Sequence, residues 1–443
     1  MAHPFRAIVA LIDKQTATKL TVTASDAEQA VLVALELGDD PWPVADSLAE
    51  LAELARTAGA NIITSVTQKR PRPDPATFIG VGKARELAML AQEQAVNCLI
   101  FDQELSPAQV RNLEQLTGCK VLDRTTLILD IFAARARTRE GKIQVELAQL
   151  KHMLPRLTGF GVALSRLGGG IGTRGPGETK LETDRRHITR RIGELERELE
   201  KVKRHRALQR SGRKSVPLPL VSLVGYTNAG KSSLLNALTD ADVLAEDKLF
   251  ATLDPITRRL SLPPKREVLL TDTVGFIRKL PHHLVAAFRA TLEEVVQADL
   301  LIHVVDASSP GFMEQIQAVD EVLGELGVND KPTIIAFNKI DKVDKNLNLS
   351  GIARDFPHWV AISAVSGVGL SQLTSLISSL LPDNTFIDAI VPFERGDLLS
   401  ALHAEGEITE LEYLPHGVRV KALTGARLAA ALKQYAISNV NSH

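Results

Sequence analysis

At 443 residues the chain exceeds what one compact core accommodates and implies about three domains. Its 44% apolar and 24% charged content is ordinary for a soluble globular protein, and no apolar run reaches the roughly 18 residues of a membrane span. The net charge of −1 conceals an asymmetry: residues 133–214 hold 21 Lys and Arg against 9 Asp and Glu, an excess of 12 that leaves −13 elsewhere. A basic segment in an otherwise acidic chain points to a polyanion partner, the alternative being a solvated helical face.

The start, Met1-Ala2-His3-Pro4, lacks a charged-then-apolar leader, so secretion is not expected. Residues 1–138 read as a small parallel α/β domain. Apolar stretches Ala7 to Ile12, Ala60 to Val66, Asn97 to Phe101 and Lys120 to Leu122 alternate with helical patterns at Ala45 to Ala58, Lys83 to Gln94 and Pro107 to Leu116. Cys98 and Cys119 lie in strand-like runs and read as core residues of a reducing cytosol, not as a disulfide framework. Lys69-Arg70-Pro71-Arg72-Pro73 reads as a stiff exposed loop. Gly80-Val81-Gly82-Lys83 opens a helix and is either a structural turn or an anion contact, without the spacing of a phosphate motif.

Residues 139–214 read as an antiparallel helical hairpin. Ile143, Leu147, Leu150, Leu154 and Leu157 step by 4-3-4-3, as do Ile188, Ile192, Leu195, Leu199 and Val202. Seams this narrow suit pairing with each other. Pro155 is expected to kink the first helix. Between the seams, Leu157 to Lys180 is too glycine-rich to be helical and forms a basic tip with Arg166, Arg174 and Lys180. Such a tip allows close approach to a phosphate-rich surface, folded RNA above all. With Phe160 its only aromatic, it is not suited to sequence-specific single-strand reading.

Residues 215–384 carry a nucleotide site in four ordered pieces. The strand Pro219-Leu220-Val221-Ser222-Leu223-Val224 leads into Gly225-Tyr226-Thr227-Asn228-Ala229-Gly230-Lys231-Ser232, a complete G-x-x-x-x-G-K-[ST] loop. A helix from Lys231 presents unpaired N–H groups to phosphate, Lys231 adds charge at the β- and γ-phosphates, and the Ser232 hydroxyl ligates Mg²⁺. Phe250-Ala251-Thr252-Leu253-Asp254-Pro255 stands in the place of a first switch loop, with Thr252 the hydroxyl to close over Mg²⁺. The strand Val268 to Thr271 ends in Asp272-Thr273-Val274-Gly275, where Asp272 holds the metal through water and the Gly275 N–H meets the γ-phosphate. Lys231, Thr252, Asp272 and Gly275 are therefore the catalytic candidates.

The strand Ile334 to Phe337 leads into Asn338-Lys339-Ile340-Asp341. Asp341 can accept from N1–H and the exocyclic amine of guanine, a pair adenine lacks. Ser363-Ala364-Val365 follows as the loop beneath the base. The ligand is thus GTP or GDP. Phe276 occupies the position of a water-orienting glutamine, so slow intrinsic hydrolysis is expected without a helper. The helper is K⁺ coordinated by Asn228 or a macromolecular partner; alternatively Asn228 only tightens the turn.

Residues 385–443 read as a small α+β appendage: strands Phe386 to Val391 and Glu410 to Tyr413, helices Asp397 to His403 and Ala426 to Tyr435, and a turn at His416-Gly417. No Cys/His spacing suits zinc, and His282-His283 reads as a solvated helix start.

The arrangement resembles the HflX family of ribosome-splitting GTPases over roughly residues 70–380. The likeness rests on Gly80-Val81-Gly82-Lys83, Val121-Leu122-Asp123-Arg124-Thr125, Arg135-Ala136-Arg137-Thr138-Arg139-Glu140-Gly141-Lys142 and Gln144-Val145-Glu146-Leu147-Ala148. Gly169-Gly170-Ile171-Gly172, Arg174-Gly175-Pro176-Gly177-Glu178-Thr179 and Leu181-Glu182-Thr183-Asp184-Arg185-Arg186 extend it. The resemblance implies a cytoplasmic, monomeric, Mg²⁺-dependent GTPase that binds the large ribosomal subunit and its rRNA when GTP-loaded. It would split or rescue stalled ribosomes and leave after hydrolysis. A hydrophobic residue at Phe276 belongs to that pattern. The alternatives are a ribosome-assembly or RNA-modification GTPase, and an RNA-remodelling protein with a second nucleotide in the N-terminal sheet.

Overall fold

The computed structural model describes residues 28–38, 43–159, 176–212, 218–239, 249–250, 252–263, 266–279, 292–343, 349–381 and 384–437. The expected strand Ala7 to Ile12, most of the glycine-rich tip with Phe160, Arg166 and Arg174, the switch residue Ala251, and His282-His283 lie outside them.

Four parallel strands, β1 (Gln29–Glu36), β2 (Asn61–Lys69), β3 (Cys98–Phe101) and β4 (Lys120–Asp123), form the first sheet in the order β2-β1-β3-β4. The helices are α1 (Val44–Thr57), α2 (Val81–Glu93), α3 (Pro107–Thr117) and α4 (Arg124–Arg135). Ala30, Leu32 and Ala34 of β1 join the core of α1 and α4, while Val31, Val33 and Leu35 join that of α2 and α3. With both faces covered, β1 is apolar without alternation, which is why period-2 reasoning passes over it. Cys98 and Cys119 are buried, and burial pushes the Cys98 thiol up to about 12.

Helices α5 (Arg139–Met153) and α6 (Pro176–Gly212) pair along the expected seam: Ile143, Leu147, Leu150 and Met153 pack on Ile188 and Leu195, with Leu154, Leu157, Ile192 and Leu199 flanking. In heptad terms the flanking ion pairs Arg191–Glu146 (2.8 Å), Arg139–Glu198 (3.5 Å) and Lys151–Glu196 (2.8 Å) join g to g and e to e, the antiparallel pattern. Two expectations need correction. Pro155 does not kink a continuing helix, because α5 ends at Met153 and a 3-10 turn, Leu154–Gly159, takes over. Helix also begins inside the glycine-rich run, at Pro176, where a missing N–H costs no helical bond.

The second sheet has strands β5 (Leu220–Gly225), β6 (Ile256–Leu262), β7 (Arg266–Asp272), β8 (Leu300–Asp306), β9 (Thr333–Asn338) and β10 (Trp359–Ala361), ordered β10-β9-β8-β5-β7-β6. Only β6 runs antiparallel. Helices α7 (Lys231–Thr239), α8 (Phe312–Leu326) and α9 (Leu370–Leu380) accompany it. The four nucleotide elements follow β5, β7, β9 and β10, so all emerge at one carboxyl edge, where open α/β sheets bind ligands.

The third sheet, β11 (Asn384–Val391), β13 (Gly417–Gly425) and β12 (Glu407–Leu414), is antiparallel with β13 central. Helices α10 (Gly396–Glu405) and α11 (Ala426–Leu432) share its core through Leu398, Leu402, Leu428 and Leu432. Among the described residues no helix is long and apolar enough to cross a membrane.

Candidate functional site

The phosphate loop runs from buried β5 to the start of α7. Gly230 takes φ +95°, and a Cβ there would collide with Asn338 Nδ2, so both conformation and space demand glycine. Lys231 is buried and donates to the carbonyls of Gly225 (3.1 Å) and Tyr226 (2.8 Å), which aims its ammonium across the loop mouth. Burial lowers its pKa to about 8, opposed by the Asp272 carboxylate. Asn228 sits in the left-handed region at φ 62°, which asparagine tolerates in a tight turn.

The Asp272-Thr273-Val274-Gly275 loop is bonded directly to the phosphate loop. Phe276 N–H donates to the Gly225 carbonyl (3.0 Å), Thr227 N–H to the Phe276 carbonyl (2.7 Å), and Thr273 Oγ1 to the Leu223 carbonyl (2.6 Å). A Cβ on Gly275 would stand 2.8 Å from Thr227 Cα and 3.0 Å from Lys231 Nζ, so the two loops are in close contact. Phe276 is 2% exposed and turned into the core, leaving its backbone as the part that acts here.

Three oxygens converge beside Lys231. Ser232 Oγ donates to Asp272 Oδ2 at 2.6 Å, and Thr252 Oγ1 lies 3.0 Å from each of them. Asp272 Oδ1 is buried without a hydrogen-bond partner among the described residues. Burial raises the Asp272 pKa despite Lys231, Ser232 and Thr252, which favour the carboxylate. An all-oxygen set with an orphaned carboxylate oxygen fits a hard dication that keeps waters and phosphate oxygens as further ligands.

At the base end, Asn338 Nδ2 donates to the Ala229 carbonyl (2.9 Å) and Asn338 Oδ1 accepts from Ala364 N–H (3.0 Å), tying phosphate loop to base loop. Lys339, at φ 63°, pairs with Asp306 at 2.6 Å. The Ser363 hydroxyl donates to Asp341 Oδ1 at 2.6 Å and holds its carboxyl below the usual range. Ile340 follows on a 3-10 turn, and Val365 is exposed on the loop beneath. Asp306 was not singled out from the sequence; its signal is that it ends the buried run Leu300 to Val305 at the same sheet edge.

Other expected nucleotide contacts point elsewhere. Phe250, Leu253, Val274 and Phe276 belong to a single core shared with α1 and α4, and Phe250 meets Phe132 edge-on at 4.6 Å. The Tyr226 hydroxyl leaves the phosphate loop to donate to Glu50 Oε1 of α1 (2.6 Å) and accepts from Arg278 N–H (3.0 Å). Glu50 also accepts from Arg278 Nε (2.9 Å) and from the buried Arg124, which reaches Asp102 at 2.8 Å. Asp102 accepts from Ser47 Oγ (2.6 Å) and Lys279 Nζ (2.9 Å). Burial pushes the Asp102 carboxyl up, but Arg124 and Lys279 hold it below the ordinary range. The nucleotide loops and the first sheet are thus joined by one buried ionic network.

Comparison with known proteins gives the family. Residues 45–133 match the family described as GTP-binding GTPase N-terminal, 135–213 the GTP-binding GTPase Middle Region, and 220–339 the 50S ribosome-binding GTPase. The chain is 50% identical over 416 residues to the GTPase HflX of Caldanaerobacter subterraneus subsp. tengcongensis, covering 94% of this chain and 95% of that one. It is 51% identical over 406 residues to the GTPase HflX of Lacrimispora saccharolytica, covering 91% and 95%. A GTP-binding protein of the archaeon Sulfolobus solfataricus, solved with GDP, is 28% identical over 80% of this chain and 98% of its own, with a TM-score of 0.43.

Proposed function

The chain belongs to the HflX family of GTPases, and on that premise we propose that it is a GTP-gated ribosome-binding switch. In this reading the GTP form binds the large ribosomal subunit and its rRNA, splits or rescues stalled ribosomes, and leaves after hydrolysis. It acts as a cytoplasmic monomer. The observation that carries the proposal is the basic hairpin, with 21 Lys and Arg against 9 Asp and Glu over residues 133–214, in the same chain as a GTPase site.

Ser232 and Thr252 would hold Mg²⁺, with Asp272 reaching it through water. The ion supplies charge neutralisation at the β- and γ-phosphates. Lys231 positions those phosphates, Gly275 N–H meets the γ-phosphate, and Asp341 reads guanine. Asn228 is proposed to hold K⁺ beside the phosphates in place of an arginine finger. The four-part division at 138/139, 214/215 and 384/385 belongs to the proposal, supported by the separate hairpin and C-terminal cores.

GTP turnover by the purified protein, with and without large subunits, in K⁺ and in Na⁺ buffer, tests it. Strong stimulation by subunits is expected, and faster turnover in K⁺. Absence of stimulation refutes the ribosome switch; equal rates in the two buffers refute the K⁺ role.

A further inference from the structure

Thr252 and Asp254 stand two residues apart on the first switch loop and engage different parts of the molecule. Thr252 Oγ1 joins Ser232 and Asp272, each at 3.0 Å. The Asp254 carboxylate leaves the nucleotide site altogether. Its Oδ2 accepts from the backbone N–H of Arg137 (3.1 Å) and of Thr138 (3.0 Å), and its Oδ1 accepts from the Thr138 hydroxyl. Thr138 is the N-cap of α5, where its Oγ1 accepts from Gly141 N–H at 3.0 Å. The carboxylate therefore sits at the positive end of the first hairpin helix, where an anion is favoured.

Gly141 is what admits it. A Cβ at that position would lie 2.6 Å from Asp254 Oδ1, closer than the carboxylate can tolerate without rotating away. The loop is held on the other side as well, where Phe250 packs against Phe132 of α4 at 4.6 Å and Leu253 is buried. A short segment is thus fastened to α4 on one flank and to the root of the hairpin on the other, with the metal-facing hydroxyl between them. Thr252 cannot withdraw far without pulling on Asp254.

We propose that Asp254 and the Arg137-Thr138-Gly141 start of α5 form a latch that couples the seating of Thr252 at the γ-phosphate site to the root of the basic hairpin. Asp254 is then a positioning residue, and the hairpin senses the nucleotide through its own N-cap. The proposal rests on reading Thr252 as the hydroxyl that closes when GTP is bound. Coupling of this kind is reciprocal: whatever GTP does to the hairpin root, disturbing the root does to GTP preference.

Amide hydrogen exchange across residues 135–145 of the full-length protein, in Mg²⁺ with GDP or with a non-hydrolysable GTP analogue, tests it. The Arg137 and Thr138 amides should exchange about tenfold more slowly with the analogue, as suits charge-assisted hydrogen bonds made in one state and loosened in the other. Gly141→Ala should abolish that difference and lower the preference for analogue over GDP by a similar factor. Alanine favours helix, so α5 itself should persist. Thr138→Ala should weaken the response and Thr138→Ser restore it. No nucleotide-dependent exchange in the wild type, or a difference that survives Gly141→Ala, overturns the latch. The measurement needs no ribosome, so its failure is distinct from failure of the ribosome reading. Thr252→Ala, read by analogue affinity, tests the Thr252 premise separately.

Discussion

Replacing Tyr226 with Phe removes one oxygen from the phosphate loop without touching its backbone. That oxygen is 2.6 Å from Glu50 Oε1 and 3.0 Å from Arg278 N, in a residue only 7% exposed. Burial, with the Glu50 carboxylate adding to it, raises the phenol pKa far above its usual value, so the hydroxyl donates at every physiological pH. Its loss leaves the Arg278 N–H without that acceptor and Glu50 without one of its donors. A buried group deprived of its partner costs about 1–3 kcal/mol. Glu50 keeps Arg124 and Arg278, which puts its share at the low end. The expected total is about 2 kcal/mol, or roughly 30-fold faster exchange of the Arg278 amide if it opens through this contact. Native-state hydrogen exchange reads that amide directly, avoiding a single unfolding free energy for a multidomain chain. In a double-mutant cycle with Glu50→Gln the two changes should be strongly non-additive. Exchange within about threefold of wild type, or clean additivity, would show that the hydroxyl does not hold the domains together.

Lys231 gives a pH dependence. Burial lowers its pKa to about 8, and a phosphate bound beside it would raise it. Below that pH the ammonium is already charged; above it binding must take up a proton, so affinity falls as pH rises. Calorimetry at about pH 9 in buffers of different ionisation enthalpy should show close to one proton taken up, and none sinks the assignment. Asp341→Asn should shift preference from guanine toward xanthine nucleotides, checked by competition binding; unchanged specificity would mean another group reads the base. Gly230→Ala must displace Asn338, so GDP and GTP affinity should fall together by more than about tenfold, and wild-type titration curves would refute the packing argument. Leu195→Ala empties a fully buried seam position and should cost the hairpin about 2–5 kcal/mol; an unchanged melting profile counts against the seam.

The nucleotide motifs were legible because each is a short contiguous string at the end of an apolar strand. Phosphate loop, Asp272-Thr273-Val274-Gly275, Asn338-Lys339-Ile340-Asp341 and Ser363-Ala364-Val365 all meet at one sheet edge, as strand polarity requires. The hairpin was legible for a similar reason: a 4-3 spacing is local information that suits a narrow helix seam. Strand β1 was not, since continuous burial on both faces erases the alternation that marks a strand. The contacts that tie the site to the rest of the molecule were hidden for a different reason. Glu50 lies 176 residues from Tyr226 and 228 from Arg278, and Asp254 lies 116 from Thr138. In one dimension such residues are solvated charges like any others. Sequence alone pointed to a guanine nucleotide, because a phosphate loop and the Asn338-Lys339-Ile340-Asp341 string are recognised by neighbours along the chain. Only the tertiary structure decided what the site is fastened to, because burial brings charges from distant segments into a shared interior where each must find a partner.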